Sequence, residues 1–293
     1  MTAQVIDGKQ IAADIQEEVK AGVELLVAKT GKVPGLATVL VGSRKDSQAY
    51  VRMKKRACKN LGIASFGYDL TEDIKEEQLL AIVEELNANP EVHGILVQLP
   101  LPGHINEQRI LGAISIDKDV DGFHPYNIGN LAMKGREPLF VPCTPRGCIE
   151  LLDRTGVRIQ GKHAVVVGRS NIVGLPVAMM LLKRNATITV CHSHTADIAS
   201  VIREGDIIIA ALGKAEFIRG DWIKAGAVVI DVGMNDVEDP DNPKGYRLVG
   251  DVNYEEAVKR AGAITPVPGG VGPMTIAMLM RNTLDSARRI LIS

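Results

Sequence analysis

Seven short strand-type runs separated by helix-type segments limit this chain to few folds. They are GLATVLVG (35–42), SFGYDL (65–70), GILVQLPLP (94–102), HAVVVG (163–168), ATITVCH (186–192), DIIIAALG (206–213) and AVVIDVGMN (227–235). Strand–helix alternation of this kind builds parallel sheets with helices on their faces. KEEQLLAIVEELNAN (75–89) reads as an amphipathic helix, and the third run should stop at its two prolines. At 293 residues the chain exceeds what one core usually serves, so two domains are expected. The pattern restarts at PCTPRG (142–147), where Pro145 suits a helix start that runs to about Asp153. Segments 117–130 and 237–245 read as loops, and 276–292 as a closing apolar helix. The expected class is α/β, with a catalytic domain of 1–143 plus 276–293 and a Rossmann-like domain of 144–275.

The formal net charge is -1, with no overall basic excess and no polybasic tract, which argues against nucleic acid and membrane surfaces as partners. No segment is long and apolar enough to span a bilayer. Asp7, Asp14, Glu17 and Glu18 make the N-terminus unlike a signal or transit peptide. Cys58, Cys143, Cys148 and Cys191 form no zinc-type spacing. Free thiols in a reducing cytoplasm, without a metal, are the expectation.

The segment DSQAYVRMKKRACKNL (46–61) carries one lysine in an unusual place. At roughly 3.6 residues per turn, Ser47, Tyr50, Lys54, Ala57 and Leu61 share one stripe. Arg52, Lys55, Arg56 and Lys59 lie opposite. The Ala/Leu stripe is the side a helix buries, so Lys54 is a lone ammonium on a core-type face. Desolvation would lower its pKa and suit it to proton transfer. A lysine that snorkels its stem over the core fits the same pattern.

VVVGRSNIVGLPVAMMLL (165–182) reads as a strand, a glycine turn and a helix. Gly168 permits the tight turn and Gly174 the close helix–strand approach. Ser170 stands where a dinucleotide fingerprint has its second glycine. Free N–H groups at the helix start would bind a pyrophosphate, although an ordinary βα turn gives a similar pattern. The next strand ends Val190-Cys191-His192-Ser193-His194, without the acidic residue that binds a ribose in NAD enzymes. With Arg169 placed to meet a 2′-phosphate, NADP is favoured. His192 and His194 either assist or have no role.

YVRMK (50–54), GILVQLPLP (94–102), KDVDG (118–122), GRSNIVGLP (168–176) and PVPGGVGPMT (266–275) occur in this order across the whole chain. Together they closely resemble the bifunctional methylenetetrahydrofolate dehydrogenase/cyclohydrolase family. The resemblance implies a folate site in the cleft between the two domains. It implies oxidation of methylenetetrahydrofolate to methenyltetrahydrofolate with NADP, then hydrolysis to formyltetrahydrofolate. Lys54 would be the catalytic lysine, Tyr50 the tyrosine that orients it, and Gln98 its hydrogen-bond partner. Asp121 would bind the polar edge of the pterin, with Ser47, Leu99 and Pro100 nearby. Gly269, Gly270, Gly272 and Pro273 match the loop that closes over folate and nicotinamide. Gly168, Arg169, Ser170, Gly174, Ser193, Val232 and Thr275 match cofactor positions. A cytoplasmic homodimer is implied as well.

Other readings remain at this level. Asp121 also fits a turn-stabilising Asp before Gly122, the role expected of Asp119. A two-domain NADP dehydrogenase for a small hydroxy or amino acid, with Lys54 as base, fits the α/β pattern. So does a dinucleotide sensor without turnover.

Overall fold

The structure, a computed structural model, describes residues 2–243 and 245–292. It divides into two compact units, Ala13–Cys143 with Ile276–Ser293, and Met1–Ala12 with Thr144–Thr275. The chain opens with β1 (Gln4–Val5) and the 23-residue helix α1 (Gly8–Thr30). The sequence reading assigned no element here, although Ile15, Val19, Val23 and Leu26 repeat at helical spacing and are buried. It also placed residues 1–12 with the catalytic domain. They belong to the other unit, because Gln4 and Val5 pair in parallel with Ala263 and Ile264.

The first unit is built on a three-stranded parallel sheet. Its centre is β2 (Gly35–Val41), followed in the chain by α2 (Lys45–Leu61). β3 (Ala64–Leu70) and β4 (Gly94–Val97) flank it, joined by α3 (Glu76–Ala88). Strand periodicity puts Ala37, Val39 and Val41 on one face, packed with Leu79, Val83 and Leu86 of α3. Burying such aliphatic side chains contributes about 1.5–3 kcal/mol each. β4 stops at Val97, earlier than the apolar run suggests, and the Leu99–Pro100 bond is cis. Beyond it come α4 (Glu107–Ala113) and α5 (Pro125–Ala132). The expected loop at 117–130 is therefore half helical. Pro125 occupies the first helical turn, and the His124 ring nitrogen accepts from Tyr126 N–H.

The second unit starts with α6 (Cys143–Arg154), then β5 (His163–Val167), α7 (Gly174–Lys183), β6 (Thr187–Cys191), α8 (Ile198–Arg203), β7 (Ile207–Ala210) and β8 (Val228–Asp231). β9 (Asn235–Glu238) and β10 (Tyr246–Val249) form an antiparallel ribbon. The surface loop read over 237–245 is the connection between these two strands, with only Val237 and Glu238 drawn into β9. α9 (Tyr254–Ala257) and β11 (Ala263–Ile264) follow. The main sheet runs β1-β11-β8-β7-β5-β6, with every neighbour parallel. Counted from β5 this is the doubly wound 2-1-3-4-5 order, whose ligand crevice opens between β5 and β7. The last helix, α10 (Val271–Ile292), starts five residues earlier than the apolar pattern suggests, because 271–275 already take helical turns.

His93 is a buried titratable group in the first unit. Its Nδ1 accepts from Gly35 N–H, so the ring proton sits on Nε2, which has no partner among the described residues. Burial, helped by Lys118 and Lys32, lowers its pKa. The unfolded chain therefore takes up a proton below about pH 6.5 that the folded ring resists, and stability falls as pH falls through this window. His93→Asn keeps an acceptor for Gly35 without the titration. Between pH 7.5 and 5 the wild-type urea midpoint should fall relative to that of the variant. Parallel profiles would remove His93 from the pH response.

Candidate active site

Helix α2 buries the stripe that its sequence marks. Ser47, Val51, Lys54, Ala57, Cys58 and Leu61 are all buried, Tyr50 is half-buried, and Arg52, Arg56 and Lys59 face solvent. Lys55 swings to Asp69 at 3.2 Å. Lys54 is only 7% exposed, so its ammonium does not snorkel out. It donates to Gln98 Oε1 at 2.9 Å.

Gln98 follows the carboxyl end of β4, and its backbone N–H extends the ladder to Val39 O. Its Nε2 donates to Leu99 O at 2.8 Å. A carbonyl only accepts, so this contact turns the amide oxygen toward the lysine. An amide oxygen can accept from an ammonium, more strongly, or from a neutral amine. Burial lowers the Lys54 pKa, opposed by the charge of Asp121 and by Cys143. Burial raises the Asp121 pKa, opposed by Lys54 and by a hydrogen bond from Cys143. Desolvation thus pushes both groups toward their neutral forms, and each resists this in the other. The arrangement supplies a buried, directed amine that can exchange a proton, next to an acceptor for polar N–H groups.

KDVDG divides three tasks among neighbours. Lys118 donates to the carbonyls of Leu86, Asn87 and Asn89, satisfying the C-terminal end of α3. Asp119 accepts from Phe123 N–H, His124 N–H and Asn127 Nδ2. It therefore holds the turn and the start of α5, and burial pushes its pKa up to about 7. With the turn held by Asp119, Asp121 faces Lys54 and Cys143 instead.

In the second unit, Gly168 ends β5 at φ +128°, and a Cβ there would lie 2.0 Å from Ala211 O, beyond β7. A Cβ on Gly174 would lie 2.2 Å from Gly168 O. Both glycines are thus required by backbone contact at the β5/β7 crevice. Ser170 Oγ accepts from Val173 and Gly174 N–H, so it caps α7. Arg169 and Ser193 are exposed, the first beside this turn and the second just past β6. Val232 N–H is paired with Ala210 O, and the Thr275 and Thr144 hydroxyls meet at 2.9 Å. Around Val232, the buried Asp231 accepts from Gly233, Asp251 and Val252 N–H, and burial pushes its pKa up to about 7. Gly269 has φ +113°, while Gly272 and Pro273 lie in the first turn of α10. The features fit a dinucleotide: two glycines that keep a βα turn open, a helix N-terminus, and an exposed cation.

Ser47, Tyr50, Lys54, Gln98, Leu99, Pro100 and Asp121 all lie in the first unit, and the expected cofactor residues lie in the second. The sequence reading missed Cys143 as a neighbour of Asp121. It also missed Asn282, which donates to Cys143 Sγ at 3.5 Å. Asn282 carries a readable signal, being a polar residue on the apolar stripe of α10. No local signal marks Cys143.

A parallel α/β unit with a buried lysine, and a doubly wound unit with an open glycine turn, define a two-unit nucleotide-dependent enzyme class. Residues 6–121 match the family described as "Tetrahydrofolate dehydrogenase/cyclohydrolase, catalytic domain", and residues 142–291 match its NAD(P)-binding domain. The chain belongs to the tetrahydrofolate dehydrogenase/cyclohydrolase family. It is 66% identical to bifunctional protein FolD 2 of Arabidopsis thaliana, covering 99% of this chain and 97% of that relative. Identity to the bifunctional FolD of Moorella thermoacetica is 56%, covering 99% and 100%. The FolD structure of Trypanosoma brucei, solved with NADP and an inhibitor, matches with a TM-score of 0.95 at 48% identity, covering 99% and 98%. Among the described residues no helix is long and apolar enough to cross a membrane.

Asp119→Ala should destabilise the first unit, because three donors lose their acceptor. Each donor left buried and unpaired costs about 1–3 kcal/mol. A urea midpoint equal to wild type would refute the structural role of Asp119.

Proposed function

We propose that the chain oxidises methylenetetrahydrofolate to methenyltetrahydrofolate with NADP and hydrolyses that product to formyltetrahydrofolate, using Lys54 as the proton carrier. The observation that carries this reading is Lys54, buried, lowered in pKa and aimed by Gln98. Bound NADP supplies the hydride acceptor. Gly168, Arg169, Ser170, Gly174, Ser193, Val232 and Thr275 are the residues read as its site. The folate side is read as Ser47, Tyr50, Gln98, Leu99, Pro100, Asp121, Gly269, Gly272 and Pro273, with Tyr50 orienting Lys54 from one turn away.

Hydride loss needs positioning more than a base, because a nitrogen lone pair stabilises the developing cation. Hydrolysis does need proton transfers. The cationic methenyl ligand favours a neutral amine over an ammonium at Lys54. The amine takes a proton from the attacking water as the C–O bond forms. It returns a proton to the leaving nitrogen as the C–N bond breaks. The added hydroxyl becomes the formyl carbonyl, and one proton is released overall. Gln98 keeps the amine directed without adding charge. Asp121 accepts from the amino and ring N–H groups of the pterin. Among the described residues Lys54 is partnered by Gln98, Asp121 and Cys143, which supports a pterin rather than the carboxylate of a hydroxy- or amino-acid substrate.

The four cysteines are buried thiols, which supports a reducing compartment, read here as the cytoplasm. The family resemblance supports a homodimer.

Lys54→Gln should lower methenyl hydrolysis by at least about 100-fold while leaving measurable hydride transfer, since general acid–base groups contribute about 10²–10⁴. The two steps are followed separately by absorbance. Hydrolysis near the wild-type rate would remove Lys54 from this role.

Arg169→Ala should reduce the preference for NADP over NAD by about one to two decades, the worth of a charge-assisted contact of about 1.5–3 kcal/mol. The readout is the ratio of kcat/KM for the two cofactors. Equal loss for both would move Arg169 away from the 2′-phosphate.

A further inference from the structure

Met278, Asn282 and Ser286 are spaced four residues apart on α10 and are all fully buried. They share the face that the helix presents to its own unit. Asn282 Nδ2 donates to Val120 O at 2.7 Å, to Val141 O at 3.1 Å and to Cys143 Sγ at 3.5 Å. Val120 O belongs to the peptide that leads into Asp121. Val141 lies two residues before Cys143. These two segments touch: a Cβ on Gly122 would come within 2.6 Å of Pro142 N and Val141 C. The Cys143 thiol reaches Val120 O at 3.4 Å and also hydrogen-bonds the Asp121 carboxylate.

We propose that Asn282 is a positioning residue for folate binding, acting through Val120 and Cys143 to fix the direction of the Asp121 carboxylate. The proposal rests on the reading of Asp121 as the pterin acceptor. One amide group grips the backbone on one side of Asp121 and the thiol that contacts its carboxylate. A buried amide with this geometry holds the carboxylate before ligand arrives, so the ligand does not have to order it. One turn further along α10, Ser286 makes the comparable contacts without the link to Asp121. Its hydroxyl joins His93 O at 2.6 Å and Asp117 O at 2.8 Å. Ser286 therefore provides an internal control for a purely structural clamp.

The test uses the full chain and steady-state kinetics with methylenetetrahydrofolate and NADP, together with urea midpoints. Asn282→Leu should raise the KM for methylenetetrahydrofolate about tenfold and leave the KM for NADP within twofold. Ser286→Ala should lower the midpoint and leave both KM values in place. Should Asn282→Leu not fold, Cys143→Ala cuts the thiol link alone and should raise the folate KM in the same direction. On an Asp121→Ala background, neither Asn282→Leu nor Cys143→Ala should raise the folate KM further, because coupled residues are not additive. The same rise on both backgrounds, or a variant that behaves like Ser286→Ala, overturns the proposal. If Asp121→Ala itself leaves the folate KM unchanged, the reading of Asp121 falls and takes this proposal with it. If Asp121→Ala raises the KM and Asn282→Leu and Cys143→Ala do not, only the positioning role fails.

Discussion

Taking the Lys54 amine out of water is the constraint around which the first unit is organised. A buried ammonium without partners costs several kcal/mol, so the fold must supply an acceptor, a compensating charge or a lowered pKa. All three are present. Gln98 accepts, Asp121 compensates, and burial lowers the pKa. This solution dictates local structure in turn. β4 ends at Val97, the Gln98 N–H still pairs with Val39 O, and the Leu99 carbonyl has to lie where it fixes the Gln98 side-chain amide.

The same demand for partners governs the other buried polar groups. Lys118, Asp119 and Asp121 lie within four residues, yet they serve a helix end, a turn and the lysine site respectively. Asp231 and Asp251 repeat the principle in the second unit. Asp251 accepts from Leu212, Gly213 and Lys214 N–H and from Asn235, while Asp231 holds the backbone of Asp251 itself. Backbone N–H groups thus do for these carboxylates what a cation would do elsewhere. The loops after β7 and β8 are fixed as a consequence, beside the β5/β7 crevice that Gly168 keeps open.

Much of this was written in local pattern. Strand-type runs located seven strands of the two parallel sheets but not the two-residue β1 and β11; β2, β4 and β7 are buried throughout, as continuous apolar runs in parallel sheets are. The stripe on α2 put Lys54 on a core-type face, because side-chain facing follows directly from helical period, and left open whether its head stays in water. The close packing of Gly168 and Gly174 followed from their place in a strand–turn–helix sequence. Other elements were hidden for physical reasons. β9 and β10 are four residues each and mix polar with apolar side chains, so neither forms the apolar run by which the other strands were read. Helix α5 begins inside a glycine- and aspartate-rich stretch, where a proline and a histidine cap supply the start that periodicity does not show.

The sequence by itself determined the α/β class, the lone lysine on a core-type stripe and the glycine turn of the second unit. Each depends on residues close together in the chain, where backbone geometry fixes direction. Only the tertiary structure decided which aspartate of KDVDG caps the turn and which faces Lys54. It also decided that Gln4 and Val5 join the second unit's sheet, and that Cys143 and Asn282 stand behind Asp121. The partners of Lys54, of the first strand and of Asn282 all come from distant parts of the chain. At such separations a side chain's partner is set by how the elements pack, which no local period encodes.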